Sequence, residues 1–295
     1  MGGKCLWRGE VTSADEYQRL RTWAEDRSLP FLHIGEATNI LVSDKGYQGL
    51  VIRNRITQRE RQGKEVEVGG GESLSGTIRW LNRLGLSGLE RMYGIPGTVA
   101  GAVVGNAGAY GQEISDTLVS VTVSDGQETA AVPSSELAFG YRHSLFKTRR
   151  DWFILSCRLR LQQSTINLQR ISDEILAKRL VKYPAGLKCP GSFFKNVLVR
   201  DLSPEARAVI PGEWIVAGRI PAGRLLEAVG ARGARRGDAC FAGYHGNLLM
   251  NLGQATSEDI VSLAEEHSKR VLKCFHVQLE PEVFLVDGFP SSEST

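Results

Sequence analysis

Three polar residues, far apart in the chain, stand in settings that could do chemistry. Arg142 follows Gly140-Tyr141, and its planar fork could clamp a carboxylate through two parallel hydrogen bonds. A surface arginine beside a packed tyrosine is the simpler reading of the same residues. Ser192 sits in Gly191-Ser192-Phe193-Phe194-Lys195-Asn196, a hydroxyl between glycine and two aromatics. The pattern is not the G-x-S-x-G elbow of a hydrolase nucleophile. Such a serine can relay a proton in an apolar pocket, or simply cap a strand edge. Glu280-Pro281-Glu282 sets two carboxylates at i and i+2, one face of a regular strand, which is most often a wet face. His245 and Asn247 form a polar pair with no metal-ligand partner, and a satisfied structural histidine accounts for them as simply. Arg232, Arg235 and Arg236 read as solvated charge unless a phosphate lies nearby.

A second kind of chemistry is written in the backbone. From Gly94 to Gly111 the chain carries six glycines and no charge. Glycine costs entropy wherever the chain is fixed, so such a run implies a close approach to the main chain. Gly97, Gly101 and Gly105 recur at four-residue spacing, which predicts one face of a short helix with Pro96 just ahead of its first turn. Free N–H groups at that helix start would suit a phosphate. A glycine face packed on a sheet is the alternative. Neither a P-loop nor a dinucleotide G-x-G-x-x-G with its distant acid is present.

These residues need a scaffold, and composition bounds it. The 295 residues suffice for two or three domains. Hydrophobic content of 42% and charged content of 23% are ordinary for a globular chain. A net charge of +3 argues for no nucleic-acid role. Five cysteines, odd in number and without a C-x-x-C, read as reduced thiols, with neither a disulfide framework nor a metal site expected. No signal peptide is visible at the N-terminus, and Met92 to Gln112 is too rich in glycine and polar residues for a membrane span. The expected location is the cytoplasm.

In chain order, Ser13 with Glu16 predicts a capping box on a helix over 13–28, ended by Pro30. Phe31–Ile34, Ile40–Val42 and Leu50–Ile52 predict short strands, with a turn at 35–39. Val66–Val68 predicts another strand, and Ser73 caps a helix carrying Leu74, Ile78, Trp80 and Leu81. Residues 118–133 predict a hairpin around Asp125-Gly126, followed by strands over 152–155 and 157–161 and a helix over 170–182. After an irregular 184–190, helices are predicted over 220–230 and 257–274, and a closing strand over 279–286. Ser291 to Thr295 is a polar tail.

Taken together and in order, Gly35-Glu36-Ala37-Thr38-Asn39-Ile40-Leu41-Val42, Gly94-Ile95-Pro96-Gly97, Gly105-Asn106-Ala107-Gly108-Ala109-Tyr110-Gly111, Gly140-Tyr141-Arg142, the Ser192 segment, Pro221-Ala222-Gly223 and Leu279-Glu280-Pro281-Glu282-Val283 resemble the UDP-N-acetylenolpyruvoylglucosamine reductase (MurB) family. The resemblance spans roughly residues 2 to 286, and the absence of a long tyrosine-bearing insertion looks like its shorter, second form. It implies an α+β fold: a two-part FAD-binding region of the vanillyl-alcohol-oxidase (PCMH) type plus a third α+β substrate-binding domain. The parts would be 1–53, 54–182 closed by a strand at 277–288, and 183–276.

The resemblance further implies reduction of UDP-N-acetylglucosamine enolpyruvate by NADPH through FAD, feeding peptidoglycan precursor synthesis, by a chain expected to be a monomer without nucleic-acid, membrane or metal partners. Ser192 matches the family's proton donor. Arg142 and Glu282 match the pair that stabilises charge on the substrate carboxylate, for which Glu282 must hold or share a proton. Gly35, Glu36, Ala37, Thr38, Asn39, Ile40, Gly94, Ile95, Pro96, Gly97, Gly105, Asn106, Ala107 and Gly108 fall on the cofactor-binding segments. Tyr141, Lys195, Asn196, His245 and Asn247 are the candidate substrate contacts. Two departures stand out. The family usually reads G-x-G-S-N where this chain has Ala37-Thr38, and an alanine does not freely take a positive φ. Met1-Gly2-Gly3 aligns with a family I-G-G that usually follows some twenty residues. A related flavoprotein with another substrate, or a non-catalytic UDP-sugar-binding module, are the alternatives.

Overall fold

The computed structural model describes residues 2–286. Met1, the last two positions expected in the closing strand (287–288) and the polar tail at 291–295 lie outside them. The described chain divides into two compact units, one of residues 5–38 and 48–181, the other of residues 2–4, 39–47 and 182–286.

In the first unit β1 (Cys5–Val11) leads into α1 (Ala14–Glu25). Ser13 caps α1 by accepting from the Glu16 N–H, as its type requires. The expected box is shifted by one residue: the Glu16 carboxylate takes the N–H and hydroxyl of Thr12, not the N–H of Ser13. After β2 (Phe31–Ile34) the chain leaves for β3 (Ile40–Val42) of the other unit and returns in β4 (Tyr47–Asn54). A three-stranded sheet β1-β4-β2 results, with β2 parallel to β4. Tyr17 stacks on Phe153 within its core, 4.3 Å between rings.

Next come β5 (Arg59–Gln62), β6 (Glu65–Gly69), α2 (Leu74–Arg83), β7 (Leu86–Ser87), α3 (Val99–Val104), and the small hairpin of β8 (Gly108–Ala109) and β9 (Gln112–Glu113). They are followed by β10 (Leu118–Ser124), β11 (Thr129–Pro133), β12 (Phe153–Arg160), β13 (Gln162–Gln163) and α4 (Leu168–Lys182). The antiparallel sheet β11-β10-β12-β6-β5 carries the larger core, with Val66, Val68, Val121, Cys157 and Leu159 facing Leu74, Ile78 and Val103. The Asp125-Gly126 turn closes β10 on β11 as expected, the Asp125 carboxylate accepting from the N–H groups of Gln127 and Glu128.

The second unit holds β14 (Val197–Leu198), α5 (Pro204–Val209), β15 (Arg219–Ile220), α6 (Ala222–Ala228), β16 (Arg235–Arg236), β17 (Ala239–Ala242), β18 (His245–Asn251), α7 (Ser257–Phe275) and β19 (Phe284–Val286). The sheet β16-β17-β18 packs with α6 and α7 around Phe241, Leu249, Leu225 and Ile260, and β19 runs parallel to β3. The closing strand is shorter than expected, because Pro281 has no N–H to offer a ladder. Residues 279–283 make only an isolated bridge, Phe194 to Pro281, before β19 begins.

Candidate active site

The two loops expected to hold a cofactor meet inside the first unit. The Thr38 hydroxyl donates to the Pro96 carbonyl at 3.3 Å. A Cβ on Gly35 would lie 2.3 Å from Thr98 Oγ1, so only glycine allows this approach. Ala37 sits at φ 53°, so the left-handed turn is made here without glycine, in a conformation that an alanine does not freely take. Glu36 commits its carboxylate to Arg53 and Arg55, which leaves its main chain rather than its side chain to face a ligand. Among the described residues, the N–H groups of Glu36, Ala37, Thr38 and Gly97 donate to no other part of the chain. Outward donors beside a close-packed, glycine-lined backbone fit a diphosphate. Gly94, at φ +83°, donates its N–H to the Ser75 hydroxyl, which in turn reaches the Ile95 carbonyl; no local pattern marks Ser75 for this role.

The glycine helix is another matter. Only Gly101 lies inside α3, with Thr98 as its cap and Gly105 as its end, so the predicted three-glycine face does not form. The first-turn donors are also taken: Val99 donates to Glu72, Ala100 to Gly70, and Gly101 to the Thr98 hydroxyl. The predicted phosphate site at that helix start is therefore absent. Anion binding falls to the loops instead.

Beyond α3 the backbone turns sharply at Asn106, φ 41° and 1% exposed. Its amide nitrogen donates to Gly140 O and to the Glu113 carboxylate, pinning the segment at 105–108 to the loop before Arg142. Ala107 donates its N–H to Ala102 O. Arg142, itself at φ 52°, donates to the carbonyls of Gly108 at 2.9 Å and Asn106 at 3.4 Å, and lies 5.2 Å from the Tyr141 ring centre. Two motifs some thirty residues apart are thus one structure. Left-handed non-glycine residues tend to gather where function holds the strain, and Ala37, Asn106, Tyr110 and Arg142 all fall in these segments.

Ser192 and Glu282 are brought together in the second unit. The Glu282 N–H donates to Phe193 O at 2.8 Å, and Lys195 N–H to Glu280 O at 2.9 Å, so the acid-bearing segment lies along the serine segment. Asn39 holds it from the other side, its amide nitrogen donating to Glu282 O at 3.1 Å while its carbonyl accepts from Phe284. Ile40 pairs with Phe284. The expectation of two carboxylates on one strand face fails for the proline reason given above; Glu280 turns outward onto Lys195 Nζ at 2.8 Å.

Asn247 is 3% exposed, and its amide accepts from Phe194 N–H and donates to Phe194 O, at 2.9 and 2.8 Å. Its side chain clamps the serine segment. Asn196 Oδ1 accepts from Ala222 N–H and so fixes the start of α6. His245 Nδ1 accepts from Asn247 N–H, leaving the proton on Nε2. Burial pushes the His245 pKa down to about 4, aided by Lys182, so the ring is neutral near pH 7. The ring lies against Gly223, where a Cβ would stand 3.4 Å from it, so the imidazole packs directly on the first turn of α6. One partner was not visible in the sequence: Tyr183, whose hydroxyl lies 3.1 Å from Ser192 Oγ. It directly follows α4, nine residues before Ser192 across an irregular turn with no period to reveal it.

Among the described residues no group of histidine, cysteine and carboxylate side chains could hold a metal ion, and no helix is long and apolar enough to cross a membrane. All five cysteines are unbridged.

Two family models match the chain: "FAD binding domain" over residues 10–131, and "UDP-N-acetylenolpyruvoylglucosamine reductase, C-terminal domain" over 183–286. The first covers the loops that fit a diphosphate, and FAD is the cofactor. The chain is 39% identical over 284 residues to the UDP-N-acetylenolpyruvoylglucosamine reductase of Solibacter usitatus, covering 96% of this chain and 91% of that one. It is 34% identical to the reductase of Chloroflexus aggregans, over 97% of this chain and 93% of that one. The crystal structure of the MurB reductase from Thermus caldophilus superposes with a TM-score of 0.73 at 31% identity, covering 95% of this chain and 91% of that one. The similarity runs over nearly the whole chain in sequence and in structure, and the chain belongs to the UDP-N-acetylenolpyruvoylglucosamine reductase family.

Proposed function

We propose that this chain reduces UDP-N-acetylglucosamine enolpyruvate to UDP-N-acetylmuramate at the expense of NADPH, as a cytoplasmic step of peptidoglycan precursor synthesis. The observation that carries the reading is the Ser192 segment. Its hydroxyl is set by Tyr183, its main chain is clamped by Asn247, and the Glu282 segment is bonded along it. FAD, when bound, supplies the redox step, taking two electrons from NADPH and passing them to the enolpyruvyl double bond.

The chain's own residues supply orientation and a proton. Ser192 gives its proton to the α-carbon, general acid work made possible by position. Glu282 and Arg142 stabilise the charge that develops on the carboxylate side of that carbon. Arg142 suits this because two backbone carbonyls already fix its fork. Lys195, Asn196, Tyr141 and His245 are proposed to line the sugar-nucleotide path, with Lys195 exchanging its exposed partner Glu280 for phosphate. The three-part division at 1–53, 54–182 with its closing strand, and 183–276 is proposed for ligand roles, FAD on the first two parts and the UDP-sugar on the third. The active species is proposed to be a monomer.

The test is one anaerobic absorbance trace on purified protein. NADPH should bleach the flavin bands, and the enolpyruvyl substrate should restore them. Bleaching without recovery would assign a different acceptor, and a protein that takes up no FAD would overturn the reading altogether.

A further inference from the structure

We infer that Tyr183 is a positioning residue for Ser192, orienting its hydroxyl and returning the proton that it gives up; this rests on the function proposed above. The difficulty that it resolves is chemical. An aliphatic hydroxyl is a poor acid, and a serine that protonates carbon is left as an alkoxide unless a second donor follows. The only side-chain hydrogen bond that the described structure gives Ser192 Oγ is the one to Tyr183 Oη, at 3.1 Å. A phenol is a far stronger acid than an aliphatic alcohol, so the tyrosine can return that proton.

The surroundings favour this geometry. Ser192 bridges to Leu248, and the next two residues are tied to Asn247, so the serine main chain cannot shift. Its χ1 rotor is the remaining freedom, and the tyrosine hydroxyl selects among the rotamers. Tyr183 directly follows α4 and precedes Pro184, which disfavours a helical conformation at Tyr183 and turns the chain there. Lys182 Nζ stands 5.0 Å from the Tyr183 ring centre, a cation that eases negative charge on the phenol. Tyr183 is half-buried, so water can reach it from outside.

The proton account closes. The Ser192 O–H bond breaks as the α-carbon–H bond forms. The Tyr183 O–H bond breaks as the serine hydroxyl is restored, and the phenolate takes a proton from water. Both electrons come from the reduced flavin of the proposed reaction, so no further co-reactant is needed.

The experiment is stopped-flow separation of the two half-reactions in Tyr183→Phe, Ser192→Ala and the double variant, with substrate affinity measured by calorimetry on the oxidised holoenzymes. In Tyr183→Phe, bleaching by NADPH and substrate affinity should stay within about twofold of wild type. Reoxidation by the enolpyruvyl substrate should slow by about a hundredfold, the low end for loss of one proton-transfer group. Because the tyrosine acts through the serine, the double variant should be no slower than Ser192→Ala alone. Wild-type reoxidation in Tyr183→Phe, equal loss of both half-reactions, or multiplicative losses in the double variant would each overturn the inference while leaving the function intact. A wild-type flavin that the substrate fails to reoxidise would overturn the function itself.

Discussion

Asn247 shows how a single side chain can decide whether Ser192 is placed. Its amide satisfies both the N–H and the carbonyl of buried Phe194, and a buried main-chain group left without a partner costs about 1–3 kcal/mol. Asn247→Asp keeps an acceptor but loses the donor, and sets a carboxylate against a carbonyl. We expect a loss of about 2 kcal/mol in urea unfolding and a slower reoxidation half-reaction, with flavin reduction by NADPH unaffected. Equal stability in the two proteins would mean that water replaces the lost donor. Gly35→Ala makes the matching case for the cofactor loops, since its Cβ would collide with Thr98 Oγ1. Fluorescence titration should show FAD affinity lowered by about tenfold or more, the factor that follows from about 1.4 kcal/mol of lost contact. Residue types signalled both places, but not the pairing: the glycines and Ser192 stood out, whereas Thr98, Ser75 and Tyr183 matter only through distances that no local pattern encodes.

Elements were most legible where local chemistry closes on itself. The cap of α1, the Asp125-Gly126 turn and the amphipathic α7 all form as their sequences require. They failed to be legible where a distant chain segment intervenes. α3 lost its expected anion site because the carbonyls of Gly70 and Glu72, remote in sequence, take its first donors. The closing strand was cut short by Pro281. α7 offers a clean test of the local kind. Thr256 and Asp259 form a reciprocal capping box, and His276 ends the helix in a left-handed turn at φ 56°. That conformation strains any residue with a Cβ and is usually given to glycine. His276→Gly should raise stability by about 0.5–1 kcal/mol, and Thr256→Ala should lower it by about 1 kcal/mol, both read from urea midpoints at constant m-value. A destabilised His276→Gly would show that the imidazole makes contacts worth more than the strain it relieves.

Each of the two units has its own core and its own neutral histidine, and this makes acid sensitivity a property of the whole molecule. In one unit, burial among Tyr17, Phe31 and Phe153 pushes the His33 pKa down to about 3, with the Arg21 charge adding to the effect. In the other, burial and then Lys182 lower His245 to about 4. An unfolded histidine titrates near 6.5. As pH falls below that value the unfolded chain binds protons that the folded units refuse, so stability falls with pH, down to about 4 for His245 and about 3 for His33. The stability these groups confer is complete above pH 6.5. The carboxylates held low by hydrogen bonds, such as Glu90 with the Gly88 N–H and Gln112, add their losses only at lower pH. Tryptophan fluorescence can separate the units, because Trp214, 5.6 Å from Phe275, is the one tryptophan of the second and the other four lie in the first. A Trp214→Phe variant then reports the first unit alone. Its urea midpoint should fall from pH 7 to pH 5 with a slope of up to one proton, and His33→Gln in that background should flatten the slope. A midpoint that does not move over this range in the parent would mean that the His33 imidazole accepts its proton without unfolding, and that the packing around it opens to water at no cost.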